Sequence, residues 1–357
     1  MLIYSIRHGL HHAFLGVLAG VLLLPVLSGC ERSDVAGSAA PVESGSGPLW
    51  IATTGHIGDA LDSITAGTDI TVVRLCGPGV DPHSFSASVS DVQKMESSQA
   101  IFYNGFHLEA LLHEVLEGRY DEKSYAMASG FPDDARIDWV EDGEVNPEVP
   151  YDPHIWNHLP GWSQCVEGLI DRCVEISPAN ESQFRKNGGE YIQAIRDAHA
   201  AAEATFAKIP KEQRVLVSAH DAFNYFAEVY GFESVAVLGI GNDAEADVKT
   251  VREVSQKIVD RKVPVIFLES ITNPKVTSAL REACQARGWD VKVADTPLYS
   301  DDLGAEPPVD TYLGAFQSNV DLISGSLGGS ASSDSGASES GASESGAAAV
   351  GASAEDA

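Results

Sequence analysis

The chain has 357 residues, and its 23 Lys and Arg against 52 Asp and Glu give a formal net charge of −29. That balance, with no basic stripe, excludes binding to a phosphate backbone or charge-driven adhesion to anionic lipid, and makes cations the natural ligands. A 44% apolar and 8% aromatic content supplies a sizeable core, and the length suits about two domains.

Taken in chain order, the first feature is an address. Arg7 and neighbouring histidines precede an apolar run from Ala13 to Leu27 that closes on Leu27-Ser28-Gly29-Cys30. The run is shorter than the roughly 20 residues a transmembrane helix needs, and its layout is that of a secretory signal. Leu-Ser-Gly-Cys resembles the bacterial lipobox, so residues 1–29 are expected to be a lipoprotein signal peptide. Cys30 then becomes the lipid-bearing first residue, and the Ser/Gly/Ala-rich residues 30–47 a flexible tether.

Strands are expected at Leu49–Thr53, Ile70–Leu75 and Ala100–Tyr103, with helices at His56–Ile64, Val89–Met95 and Leu108–Leu116 between them. Next comes a long helical stretch. Ser177-Pro178 is a start signal, Pro210 a stop, and Phe184, Tyr191, Ile195, Ala198, Ala202 and Phe206 recur at the helical period. About 30 residues would span roughly 45 Å; Gly188-Gly189 is a candidate kink. A second alternation follows: strands at Arg214–Ser218, Ser234–Leu238, Pro264–Leu268 and Val291–Val293. Its helices are Ala222–Tyr230, Asp247–Arg261, Pro274–Arg287 and Thr311–Ile323. From Ser324 onward Gly, Ser, Ala and scattered acids offer nothing to offset the entropy of ordering. The predicted class is therefore α/β: two lobes, each a mainly parallel sheet flanked by helices, bridged by one long helix. The expected domains are a first lobe at 48–177, a connecting helix at 178–210, a second lobe at 211–323 and a disordered tail at 324–357.

Three histidines stand just beyond strand or loop ends, where open α/β sheets bind ligands. Asp81-Pro82-His83 and Asp152-Pro153-His154 repeat one triplet, and Ser218-Ala219-His220-Asp221 ends the first strand of the second alternation. Proline fixes φ and the Asp carboxylate bonds the nearby turn, so each triplet presents an imidazole on a stiff loop. Neutral imidazoles suit Zn, Mn, Fe and Cu, and one or two further donors close a site. Tyr299-Ser300-Asp301-Asp302-Leu303 supplies a carboxylate, with two aspartates competing for the role. His158, four residues after His154, is either a co-ligand or solvent-facing. His107 and Glu269 are candidates for orienting a ligand from behind, against the plainer alternatives of a packed histidine and a capping carboxylate. Trp156 and Phe223 are expected to keep water off the site. The four cysteines beyond Cys30 form no CxxC pair, so a thiolate zinc site is not expected; Cys76 bonded to Cys165 or Cys173, or three buried thiols, both remain open.

These stretches resemble the zinc- and manganese-binding solute receptors of bacterial ABC importers, the zinc-uptake component A or TroA-like group. The matching segments are Gly77–Phe85, Tyr103–Glu109, Asp152–Trp156, His220–Phe226, Phe267–Glu269 and Leu298–Gly304. The resemblance implies metal held between two lobes and carries ligation onto His83, His154, His220 and Asp301. It implies Zn2+ or Mn2+ as cargo, and a permease with its ATPase as partners. The protein is expected to be an exported monomer, lipid-anchored and facing the periplasm or cell exterior, with no enzymatic activity and no nucleic-acid partner. No His-rich loop of the kind zinc receptors often carry is present, and His220 stands where the manganese branch places Glu. A metal-containing adhesin is the main alternative. A zinc hydrolase with Glu269 as base is the remoter one, since the sequence has no HExxH motif.

Overall fold

The computed structural model describes residues 47–141, 144–147, 149–239, 241 and 247–328. The segment expected to be a signal peptide, Cys30, nearly all of the expected tether and residues 329–357 lie outside the described residues.

The N-terminal half is built on one parallel sheet. Strands β1 (Leu49–Ala52), β2 (Thr71–Arg74), β3 (Ala100–Tyr103) and β4 (Ser124–Ala126) lie in the order β2-β1-β3-β4. The residues of β1 and β3 are buried or nearly so, which is why they read as continuous apolar runs rather than alternating ones. Helix α1 (Gly55–Thr65) starts at Thr54, whose hydroxyl caps it, and α2 (Val89–Ser97) starts with a Ser88/Asp91 capping box.

The third expected helix does not form. Residues 106–112 are turns, followed by a five-residue π-helical turn at Val115–Arg119. The apolar spacing of Leu108, Leu112 and Leu116 suggested a regular helix. However, the Glu109 carboxylate captures the backbone N–H groups of Asn104 and Gly105, at 2.7 and 3.3 Å. Phe106 and His107 are left at φ of 50° and 63°, outside the helical region. A short hairpin, β5 (Val140–Glu141) with β6 (Glu144–Val145), occupies the acidic loop before the second triplet.

Helix α3 (Leu159–Ile176) precedes the long helix α4 (Glu181–Phe206), and α4 packs against α1, α3 and α8 (Tyr312–Gly328). Gly188 does not break α4. It lets α3 approach: a Cβ there would lie 2.2 Å from Ile170 Cδ1. The C-terminal half has two parallel pairs, β7 (Val215–Ser218) with β8 (Glu233–Ala236) and β9 (Val265–Glu269) with β10 (Lys292–Leu298), β7 lying beside β9. Strand β10 runs five residues past the expected end. A register shift between Val293 and Pro297 accommodates the proline, which has no N–H for a regular ladder. Helices α5 (Asn224–Tyr230), α6 (Val248–Arg261) and α7 (Pro274–Gln285) flank these strands. The tail was expected to lose structure from Ser324, but α8 continues to Gly328 because Leu327 is buried against the core. Cys76, Cys165, Cys173 and Cys284 are free thiols, all buried.

Candidate metal centre

Each candidate donor sits beyond the carboxyl end of a strand, His83 on a loop nine residues past β2, or on the segment joining the halves. His83 follows β2, His220 comes two residues after β7, and Asp301 comes three after β10. His154 lies between the β5–β6 hairpin and α3. The structure brings these four together: one donor atom from each lies within 4.8 Å of all the others. The imidazole centroids are 5.2 Å (His83–His154), 5.4 Å (His154–His220) and 6.2 Å (His83–His220) apart.

All three imidazoles present Nε2. His83 Nε2 is 3.3 Å from His154 Nε2 and 3.3 Å from Asp301 Oδ2. His220 Nε2 is 3.1 Å from Asp301 Oδ2, and His154 Nε2 is 3.6 Å from Asp301 Oδ1. Ligand-to-ion bonds of roughly 2.0–2.1 Å in a tetrahedron separate ligands by about 3.3 Å, so the spacing fits a single small dication.

Carboxylates behind two of the rings fix their tautomers. His154 Nδ1 donates to Asp152 Oδ1 at 2.7 Å, and His220 Nδ1 donates to Glu269 Oε2. With the proton held on Nδ1, a neutral ring turns a bare Nε2 lone pair toward the other donors. Asp152 Oδ1 also accepts the His154 N–H at 2.9 Å, and its Oδ2 accepts from Asn224 Nδ2 at 3.0 Å. Glu269 Oε1 accepts the N–H groups of Ala219 and His220, at 2.7 and 2.9 Å. The electrostatics ask for positive charge. Burial alone would lower the His220 pKa, but the Asp301 and Glu269 carboxylates outweigh it and hold it well above the usual histidine value. Burial would raise the Asp301 pKa, yet His220 and His154 hold it well below the ordinary carboxylate range.

The remaining candidates separate. Glu269 stands directly behind His220. His107 packs on His113, with ring centroids 4.5 Å apart. His158 is neither co-ligand nor solvent-facing: it is half-buried, and its Nδ1 accepts the Gly161 N–H at 2.8 Å as the N-cap of α3. Pro160 sits in the first turn of α3, where its missing N–H would have no helical partner anyway. Trp156 is buried edge-on to His154 and stacked on His56 at 4.7 Å, and its Nε1 donates to Ser300 O at 2.7 Å. Phe223 is fully buried.

Sequence reasoning missed what Asp152, Asn104, Glu109 and Asp302 do around the site. Asp152 was expected to brace only its turn, though its place two residues before a histidine was the available signal. Asn104 Nδ2 donates to Pro153 O at 2.8 Å and so holds the second triplet, with Glu109 bracing Asn104 in turn. Asp302 is 5% exposed and bonds Gly79 N and Ser270 Oγ.

The family described as zinc-uptake complex component A, periplasmic, matches residues 51–325. The chain belongs to this family, the metal-binding solute receptors of ABC importers. Among relatives, the zinc-binding protein TroA of Treponema pallidum is 34% identical over 313 residues, covering 87% of this chain and 98% of that protein. The manganese-binding lipoprotein MntA of Bacillus subtilis is 33% identical, covering 87% and 99%. The solved structure of the Treponema pallidum periplasmic zinc-binding protein superposes with a TM-score of 0.74, covering 78% of this chain and 99% of that one. The Fe(III)-bound YtgA of Chlamydia trachomatis gives 0.69 at 26% identity. The receptor fold expected from the sequence is thus shared across relatives named for different metals.

Proposed function

We propose that this receptor captures one divalent transition-metal ion, Zn2+ foremost and Mn2+ as the other ion its donors accept, and delivers it to the permease of an ABC importer driven by its ATPase. The observation carrying this reading is the 3.1–3.6 Å spacing of His83, His154, His220 and Asp301, a donor set of three imidazoles and one carboxylate. Binding is expected to weaken as pH falls, because protons compete for the imidazole lone pairs.

The reading includes a lipid anchor at Cys30, a monomeric receptor outside the cytoplasm, and lobes at 48–177 and 211–323 joined through 178–210. It also includes the absence of catalysis. Both Glu269 oxygens are engaged by Ala219 and His220, so Glu269 is poorly placed to serve as the general base a hydrolase would need.

Isothermal titration of chelator-treated protein with Zn2+ and with Mn2+, checked by elemental analysis, tests the proposal. One ion per chain is expected in the parent, with strong weakening in His83→Ala and His220→Ala. Unchanged affinity in both variants would overturn the assignment.

A further inference from the structure

We infer that Asp302 is a latch, a positioning residue that ties the His83 loop to the C-terminal half and sets how fast the ion leaves. The inference rests on the four side chains above being the metal site.

The loop carrying His83 opens with the turn Gly77-Pro78-Gly79, closed by Val80 N donating to Gly77 O at 3.1 Å. Gly79 sits at φ 75°, a conformation glycine adopts without penalty. Its N–H then points across the molecule and donates to Asp302 Oδ2 at 2.7 Å. The other oxygen of the same carboxylate, Oδ1, accepts from Ser270 Oγ. Ser270 directly follows Glu269, and its own N–H is fixed to Leu298 O at 3.0 Å, at the end of β10. One buried side chain therefore joins three pieces of the site: the approach to His83, the strand end whose Glu269 holds His220, and the residue after Asp301.

The latch is needed because the two triplets are anchored differently. The segment around His154 is tied to the C-terminal half at several points. Tyr225 OH donates to Asp152 O at 3.0 Å, Asn157 Nδ2 donates to Ala222 O at 2.9 Å, and Tyr312 OH donates to Trp156 O at 2.6 Å. On the His83 loop, among the described hydrogen bonds, the tie that does not pass through a donor of the site is Gly79 to Asp302. The His83 side chain is also the one donor open to solvent, 9% exposed against 0% for the other three. An ion that leaves by shedding its least buried donor first goes out past His83, and Asp302 holds that loop shut.

The test is stopped-flow release of Zn2+ into excess chelator, with the association rate and ion count measured on the same full-length protein. Asp302→Ala is expected to release the ion about tenfold faster, as the loss of a charge-assisted buried bond implies, with one ion still bound and association near the parent rate. Asp302→Asn should retain slow release, because its amide oxygen accepts the Gly79 N–H and its NH2 donates to Ser270 Oγ. That rescue separates a latch from a ligand, whose replacement by an amide would lose affinity. Ser270→Ala should speed release by a smaller factor, and Asp302→Ala/Ser270→Ala should be no faster than Asp302→Ala alone, since both act through one network. Release from Asp302→Ala at the parent rate, or from Asp302→Asn as fast as from Asp302→Ala, overturns the latch alone. A parent that binds no ion overturns the site reading, and the latch with it.

Discussion

Asp81-Pro82-His83 and Asp152-Pro153-His154 are the same three residues in the same order, yet they are held by different means. In both, the first Asp accepts the histidine N–H, at 3.0 Å for His83 and 2.9 Å for His154. Beyond that they diverge. Asp152 is fully buried and also accepts a hydrogen bond from His154 Nδ1, whereas the second oxygen of Asp81 accepts from Ser84 Oγ at 2.8 Å. One triplet is therefore a fixed wall that sets both the tautomer and the direction of its ring. The other is a shaped loop whose ring direction depends on its neighbours in the site. A local motif builds the turn, but the packing around it decides whether the imidazole is immobilised.

The largest effect that would break this comparison is loss of a fixed ligand. His154→Ala should abolish tight binding by isothermal titration, since a four-donor site loses a member that nothing nearby replaces; retained parent affinity would mean the wall is not part of the site. Next comes the carboxylate behind that ring. Asp152→Ala should cost about 10–100-fold in metal affinity, the usual size for removing the partner of a ligating histidine. Asp81→Ala, which leaves its imidazole without any such loss, should cost less than about tenfold. Equal losses at the two positions would erase the distinction drawn here.

A smaller effect concerns His56, stacked on Trp156 beside the fixed wall. Burial lowers its pKa from 6.5 to about 3, with Asp301 opposing that shift and His154 adding to it. Because the folded pKa is depressed, His56 contributes stability that is present above 6.5 and lost as pH falls toward 3. Denaturant unfolding of the chelator-treated protein should therefore show His56→Phe removing up to about 1.4 kcal/mol per pH unit of acid sensitivity in that window. Identical slopes in parent and variant would place the acid sensitivity elsewhere.

The four residues that meet in the structure stand out in the sequence because each lies in a stretch whose residue types carry their own chemistry: two proline-stiffened triplets, a histidine closing a strand and a tandem aspartate. The strand and helix alternation was legible because β1 and β3 are unbroken apolar runs and β7 is apolar up to Ser218. What escaped depends on distant contacts. Glu109 turns an apparent helix into turns by binding backbone across Asn104 and Gly105. Strand β4 is three residues with no apolar pattern, ordered by its pairing with β3. His158 reads as a ligand candidate until α3 is seen to begin beside it. Asp302 looks interchangeable with Asp301 until Gly79, 223 residues away, is found bonded to it.

The most direct measurement is anomalous X-ray diffraction from zinc-loaded crystals at the zinc edge. The account predicts one strong peak per chain, within about 2.0–2.2 Å of His83 Nε2, His154 Nε2, His220 Nε2 and an Asp301 carboxylate oxygen. A peak outside that cluster, or one bound by fewer than three of those histidines, would contradict it.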